Sequence, residues 1–131
     1  MTRGAAGTPR IEELSLLDVA ARLASGDLRS VDVTAAVLQR ARLEQARLNC
    51  FIEIVGDEAM RAAEQADRRR AAGEALGPLH GVPLAHKDMF DRVGKIASWG
   101  ARIRANKPAT TNATVIDRFR AAGSIQTAAL H

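Results

Sequence analysis

Tyrosine is absent from this 131-residue chain, and aromatic residues make up only 3% of it. That scarcity argues against a nucleic-acid surface built from stacking rings, although the net charge is +4 and Arg68-Arg69-Arg70 form a basic run. The run reads instead as a solvated helix end, with cations near the negative pole of the helix dipole. Cys50 is the one cysteine. It can close no internal disulfide, which suits a reducing compartment, and beside Phe51 and Ile52 it reads as a buried thiol. The histidines His80, His86 and His131 lack metal-ligand spacing, so a metal site is not expected. No apolar run approaches the roughly 18 residues that a membrane span needs. The first ten residues lack the apolar core of a signal peptide. The expectation is a cytoplasmic protein with no membrane partner. Lysine is scarce as well, with only Lys87, Lys95 and Lys107.

What is present is ordinary for a globular protein, at 47% hydrophobic and 26% charged residues. The length predicts one domain. Residues 1–10 read as a flexible N-terminal arm, and residues 11–131 as the folded part. Ser15 and Asp18 predict a helix start, Leu16, Val19, Ala20 and Leu23 recur at helical spacing, and Gly26 closes the helix. A second helix starts near Ser30, with Thr34, Val37, Leu38, Ala41 and Leu48 as its stripe and Gln45 as a polar break. The two predict a helical hairpin. Cys50–Val55 reads as a strand, and a helix follows to about Ala72 with Ala59, Met60, Ala63 and Ala66 inward. Val82 to about His86 is a second strand, with Pro83 confined to its start or to a sheet edge. Residues 89–111 carry no periodicity, and such long loops are usually functional or disordered. Asn112 is the predicted cap of a helix with Val115, Ile116 and Phe119 inward. Ser124–Leu130 is a third strand. This alternation of strands and helices predicts an α/β sheet with crossover connections.

Lys87 is the candidate for chemistry. Alternation puts Val82, Leu84 and His86 on one face of their strand and Pro83, Ala85 and Lys87 on the other. Lys87 then stands at the carboxyl end, where open α/β sheets bind ligands. A lysine held there out of water would favour its neutral amine, which can serve as general base or nucleophile. The competing reading is a lysine that snorkels its amine to solvent. Asp88 reads as a supporting residue that holds the following loop through backbone N–H groups, or else as a solvated carboxylate. His86 reads as a packing histidine, and Lys95 and Lys107 as surface loop residues. Ser98 lies in the long loop, but Ala97-Ser98-Trp99-Gly100 is not a nucleophile turn.

The segment Gly77-Pro78-Leu79-His80-Gly81-Val82-Pro83-Leu84-Ala85-His86-Lys87-Asp88 resembles the N-terminal motif of the amidase signature family, Gly-Pro-Leu-x-Gly-(Val/Ile)-Pro-x-x-x-Lys-Asp. Phe90–Gly94 resembles the loop after that motif, and Thr114–Ile125 the helix and strand beyond it. Two departures leave the substrate class open. His86 replaces a small or aliphatic residue, and Ser98-Trp99-Gly100 replaces a Thr- and Gly-rich stretch. The resemblance implies the N-terminal part of the amidase-signature mixed-sheet fold and an incomplete amidase domain over 11–131. It implies a hydrolase that cleaves carbon–nitrogen bonds of carboxamides through a Ser–cis-Ser–Lys triad without cofactor, with Lys87 as the lysine. The resemblance places the triad's two serines and its oxyanion loop further along, so the chain alone is expected to be inactive and weakly stable. A small-molecule amide is the expected partner, and a homo-oligomer stays open. The alternatives are an amidotransferase subunit of the glutamyl-tRNA(Gln) type and a non-catalytic remnant or binding domain.

Overall fold

The computed structural model describes residues 10–131, so the expected arm over 1–10 lies outside the described residues except for Arg10, which pairs with Glu12. Helix α1 spans Leu16–Ser25. Ser15 Oγ accepts from the Asp18 N–H at 3.1 Å, and Asp18 reaches back to the Ser15 hydroxyl at 2.6 Å, so the predicted cap forms. Helix α2 spans Ser30–Leu48. Its first N–H groups are capped by another element. Asp67 accepts from Ser30 N–H at 2.7 Å and from Val31 N–H at 3.1 Å. The hairpin closes where Val19 and Leu23 of α1 meet Val33 of α2. The stripe differs from the sequence reading at its ends, because Leu16 and Leu48 are each 51% exposed and Val33 is buried.

Strand β1 is Phe51–Ile54, and helix α3 is Gly56–Ala71. Ala59, Ala63 and Ala66 are buried, and these small side chains bring α3 close to Leu38 of α2 and Ile125 of the sheet. Gln45 has a specific task. Its Oε1 accepts from Phe51 N–H at 2.9 Å and its Nε2 donates to Phe51 O at 2.9 Å. The carboxamide pairs with β1 as a one-residue strand would, which explains a polar side chain in the apolar stripe.

Strand β2 is Pro83–Lys87, helix α4 is Thr114–Ala121, and strand β3 is Ile125–Leu130. The three-stranded sheet has the order β1-β3-β2. Strands β2 and β3 are parallel and joined through α4, as the expected crossover requires, while β1 is antiparallel to β3, so the sheet is mixed. Pro83 opens an edge strand, where its missing N–H costs no ladder bond. The turn before β2 clasps the end of α4. Leu79 N–H donates to Ala122 O and Gly81 N–H to Gly123 O, each at 2.9 Å. A Cβ on Gly77 would collide with Ala122 O, and Gly81 adopts φ +76° against Ser30, whose hydroxyl donates to Gly81 O at 2.7 Å. The glycines of the motif therefore fix how β2 docks beside β3.

Asn112 does not cap α4. Ala113 occupies that position, while Asn112 accepts from Val93 N–H at 2.8 Å and donates to Asp117 at 2.8 Å, tying the long loop to the helix. The loop itself is organised by a 3-10 turn at Arg102–Arg104 and by bridges pairing Val93 with Ala109 and Ile96 with Pro108. Among the described residues, no helix is long and apolar enough to cross a membrane.

Candidate functional site

Lys87 ends β2, and the pairing with β3 continues for one more step, with Asp88 N–H donating to Leu130 O at 2.8 Å. His86 and Lys87 point to opposite sides, one buried and one exposed, as alternation requires. The exposure of Lys87 corrects the expectation of an amine held out of water. Its strand lies at the sheet edge, and its side chain opens into a cavity of about 490 Å³. Among the described residues, no carboxylate pairs with this amine within 4.0 Å.

Asp88 is buried, and its carboxylate accepts twice from Ser98, from the N–H at 2.9 Å and from the hydroxyl at 2.5 Å. Ser98 thus lines the same cavity as Lys87 with its hydroxyl committed to Asp88. The next residue, Trp99, adopts φ +53°, a backbone conformation that bulky residues seldom take. Arg104 stacks over the Trp99 ring at 4.4 Å and donates to Ala97 O at 3.2 Å. Ile52, Met89 and Trp99 form apolar walls, and His131 lies at the rim. The aperiodic stretch and the Ser98-Trp99-Gly100 departure marked this loop in the sequence, but no local pattern marked Ile52, Met89 and Trp99 as walls of one cavity.

Beneath the loop lies a charged tether. Arg92 is buried, sits 3.7 Å from Glu53, and faces the Gln126 carboxamide, whose oxygen is the atom able to accept from the guanidinium. Lys95 reaches Glu53 at 3.3 Å and Glu58 at 3.0 Å. The hydrogen bond to Glu58 raises the Lys95 pKa, with Glu53 adding to it, so this amine is held as a cation. Lys95 is accordingly a loop anchor rather than a free surface residue, whereas Lys107 is exposed. His86 packs against Phe119 with ring centroids 5.5 Å apart. Burial pushes its pKa down, and the Arg92 charge adds to the effect. A neutral packing ring follows.

A second cavity, of about 480 Å³, lies between α1, α2 and the sheet. Its lining is almost wholly apolar and includes Cys50, which is half-buried rather than buried. Its charged lining residues are Glu12, Arg40 and Glu44, of which Arg40 and Glu44 pair at 2.8 Å. In the basic run, Arg68 and Arg69 are exposed and pair with Glu64 and Glu74, as a solvated helix end would.

The chain matches the family model described as Amidase over residues 32–129. It is 38% identical over 115 residues to a subunit of the glutamyl-tRNA(Gln) amidotransferase of Chloroflexus aurantiacus, covering 88% of this chain and 24% of that protein. Among solved structures, the peptide amidase of Stenotrophomonas maltophilia superposes with a TM-score of 0.81 at 32% identity, covering 91% of this chain and 25% of that one. Fatty acid amide hydrolase superposes with a TM-score of 0.87 at 28% identity, covering 92% of this chain and 21% of that one. The chain spans about a quarter of the length of the curated relatives it matches.

Proposed function

The chain belongs to the Amidase (amidase signature) family, and from that premise we propose that it supplies the lysine of a carbon–nitrogen hydrolase acting on carboxamides. The observation that carries this reading is Lys87, an amine free of carboxylate partners among the described residues, at the end of β2 on the wall of the 490 Å³ cavity. In the proposed Ser–cis-Ser–Lys relay, the neutral amine takes a proton through a bridging serine from the nucleophilic serine. That serine attacks the amide carbonyl and forms an acyl-enzyme. The resulting ammonium returns the proton to the leaving amine, and water completes the cycle. The relay needs the neutral amine, so the serine-bearing segments and the amide must displace water from the cavity as they cover it.

Ser98 is not the nucleophile in this reading, because its hydroxyl already donates to Asp88. Asp88 is the supporting residue, fixing the loop that walls the cavity. A chimera tests the proposal, with residues 32–129 of this chain replacing the matched segment of the Stenotrophomonas maltophilia peptide amidase. Lys87→Ala in that chimera is expected to lower kcat by roughly a thousandfold, with Lys107→Ala unchanged. Retained turnover in the Lys87 variant would reject the proposal. The 131-residue chain alone is expected to turn over no simple amide.

A second reading, the transfer of amide nitrogen within a larger assembly, is favoured by the 38% identity to the amidotransferase of Chloroflexus aurantiacus. A chimera built into that amidotransferase separates the two readings, since only a transferring protein would pass ammonia to its partner rather than release it.

A further inference from the structure

We propose that Trp99 sets the acyl preference of the Lys87 cavity, selecting amides whose acyl group is a flat apolar ring, such as arylcarboxamides; this rests on the reading of Lys87 given above. Three features of the wall support it. The indole lines the cavity together with Ile52 and Met89, so the surface offered beside the amine is apolar. The ring is held in place. Its backbone is in the left-handed region at φ +53°, the preceding residue is fixed to buried Asp88 by two hydrogen bonds, and Arg104 stacks on it at 4.4 Å. Arg104 does not itself line the cavity, so the ring keeps apolar surface on the cavity side.

A left-handed conformation at a bulky residue is strained, and the surrounding structure must over-determine it. An indole held beside the Lys87 amine matches a ligand with two parts. A planar apolar ring lies against the indole, and the attached carbonyl group points toward the Lys87 end of the cavity. An arylcarboxamide has both parts, and so does the arylcarboxylate its hydrolysis releases. The volume of about 490 Å³ accommodates a single-ring acyl group.

The test is a ¹H–¹⁵N chemical-shift titration of the 131-residue chain with benzamide and with acetamide, the spectrum itself reporting that each variant is folded. Trp99 is the only tryptophan, so its indole N–H gives one assigned signal at the site. Benzamide is expected to bind at least about tenfold more tightly than acetamide and to shift the indole signal. Trp99→Leu is expected to bring the two affinities to within about threefold, while Trp99→Phe keeps most of the preference. Equal affinities in the native chain, or a preference untouched by Trp99→Leu, would overturn the proposal. Lys87→Met reports separately on the underlying reading. In the peptide amidase chimera it should abolish turnover of both amides, and in the 131-residue chain it should leave their affinity ratio intact. If turnover survives it while Trp99→Leu still erases the ratio, the acyl preference stands and the assignment of Lys87 falls.

Discussion

Gln45 shows how much one side chain can organise. Its carboxamide satisfies both backbone groups of Phe51 on the outer edge of β1. Gln45→Ala leaves that donor and acceptor without their partners. It should cost about 1–2 kcal/mol, read as a lower urea midpoint at an unchanged slope. An unchanged midpoint would mean that water replaces the pairing at no loss. His86 gives a prediction in pH. Its pKa is lowered in the folded state by burial and by Arg92. As pH falls below the ordinary histidine value of about 6.5, the unfolded chain takes up a proton that the folded chain resists, so stability is lost on the acid side and intact above it. The Tm of His86→Phe should therefore fall less between pH 7 and pH 5 than that of the native chain. Parallel curves would show that the ring titrates without penalty.

At the scale of elements, the amidase motif fixes how the sheet is assembled as well as where the lysine lies. Gly77 and Gly81 clasp the turn after α4, and the backbone bond from Ile125 N–H to Val82 O at 2.8 Å starts the parallel pairing. Gly77→Ala drives a methyl group into the Ala122 carbonyl oxygen. It should destabilise by about 1–3 kcal/mol, whereas Gly56→Ala, whose methyl group crowds only the flexible end of Arg42, costs less. Thermal unfolding of the two variants decides, and equal losses would remove the clasp argument. Asp67 caps α2 from α3, so Asp67→Ala should cost about 1–2 kcal/mol and speed amide exchange at Ser30 and Val31. The helices, the three strands and the lysine were legible in sequence, because periodicity, glycine stops and the spacing around Lys87 are local signals. The Asp67 cap, the Asp88–Ser98 bond and the Arg92 tether were not. Each joins residues 10 or more positions apart through a polar pair that no periodic pattern marks.

Across the whole molecule, a small mixed sheet is packed by helices into two buried clusters, and one end of β2 is left open beside a braced loop. Among the described residues the outer edge of β2 is unpaired, and Leu17 and Ile103 are 80% and 87% exposed. Such surface favours association between copies. Leu17→Lys and Ile103→Lys should raise the concentration at which the chain stays monomeric in light scattering, with little change in Tm. Aggregation unchanged in the double variant would move the cause to the strand edge. In the proposed relay Lys87 works as a neutral amine that takes up a proton and returns it, not merely as a fixed charge. The direct measurement is kcat for the peptide amidase chimera with Lys87→Arg, which keeps the cation but cannot deprotonate. Turnover should fall as far as in Lys87→Ala. Near-native turnover with arginine in place would contradict a base at this position.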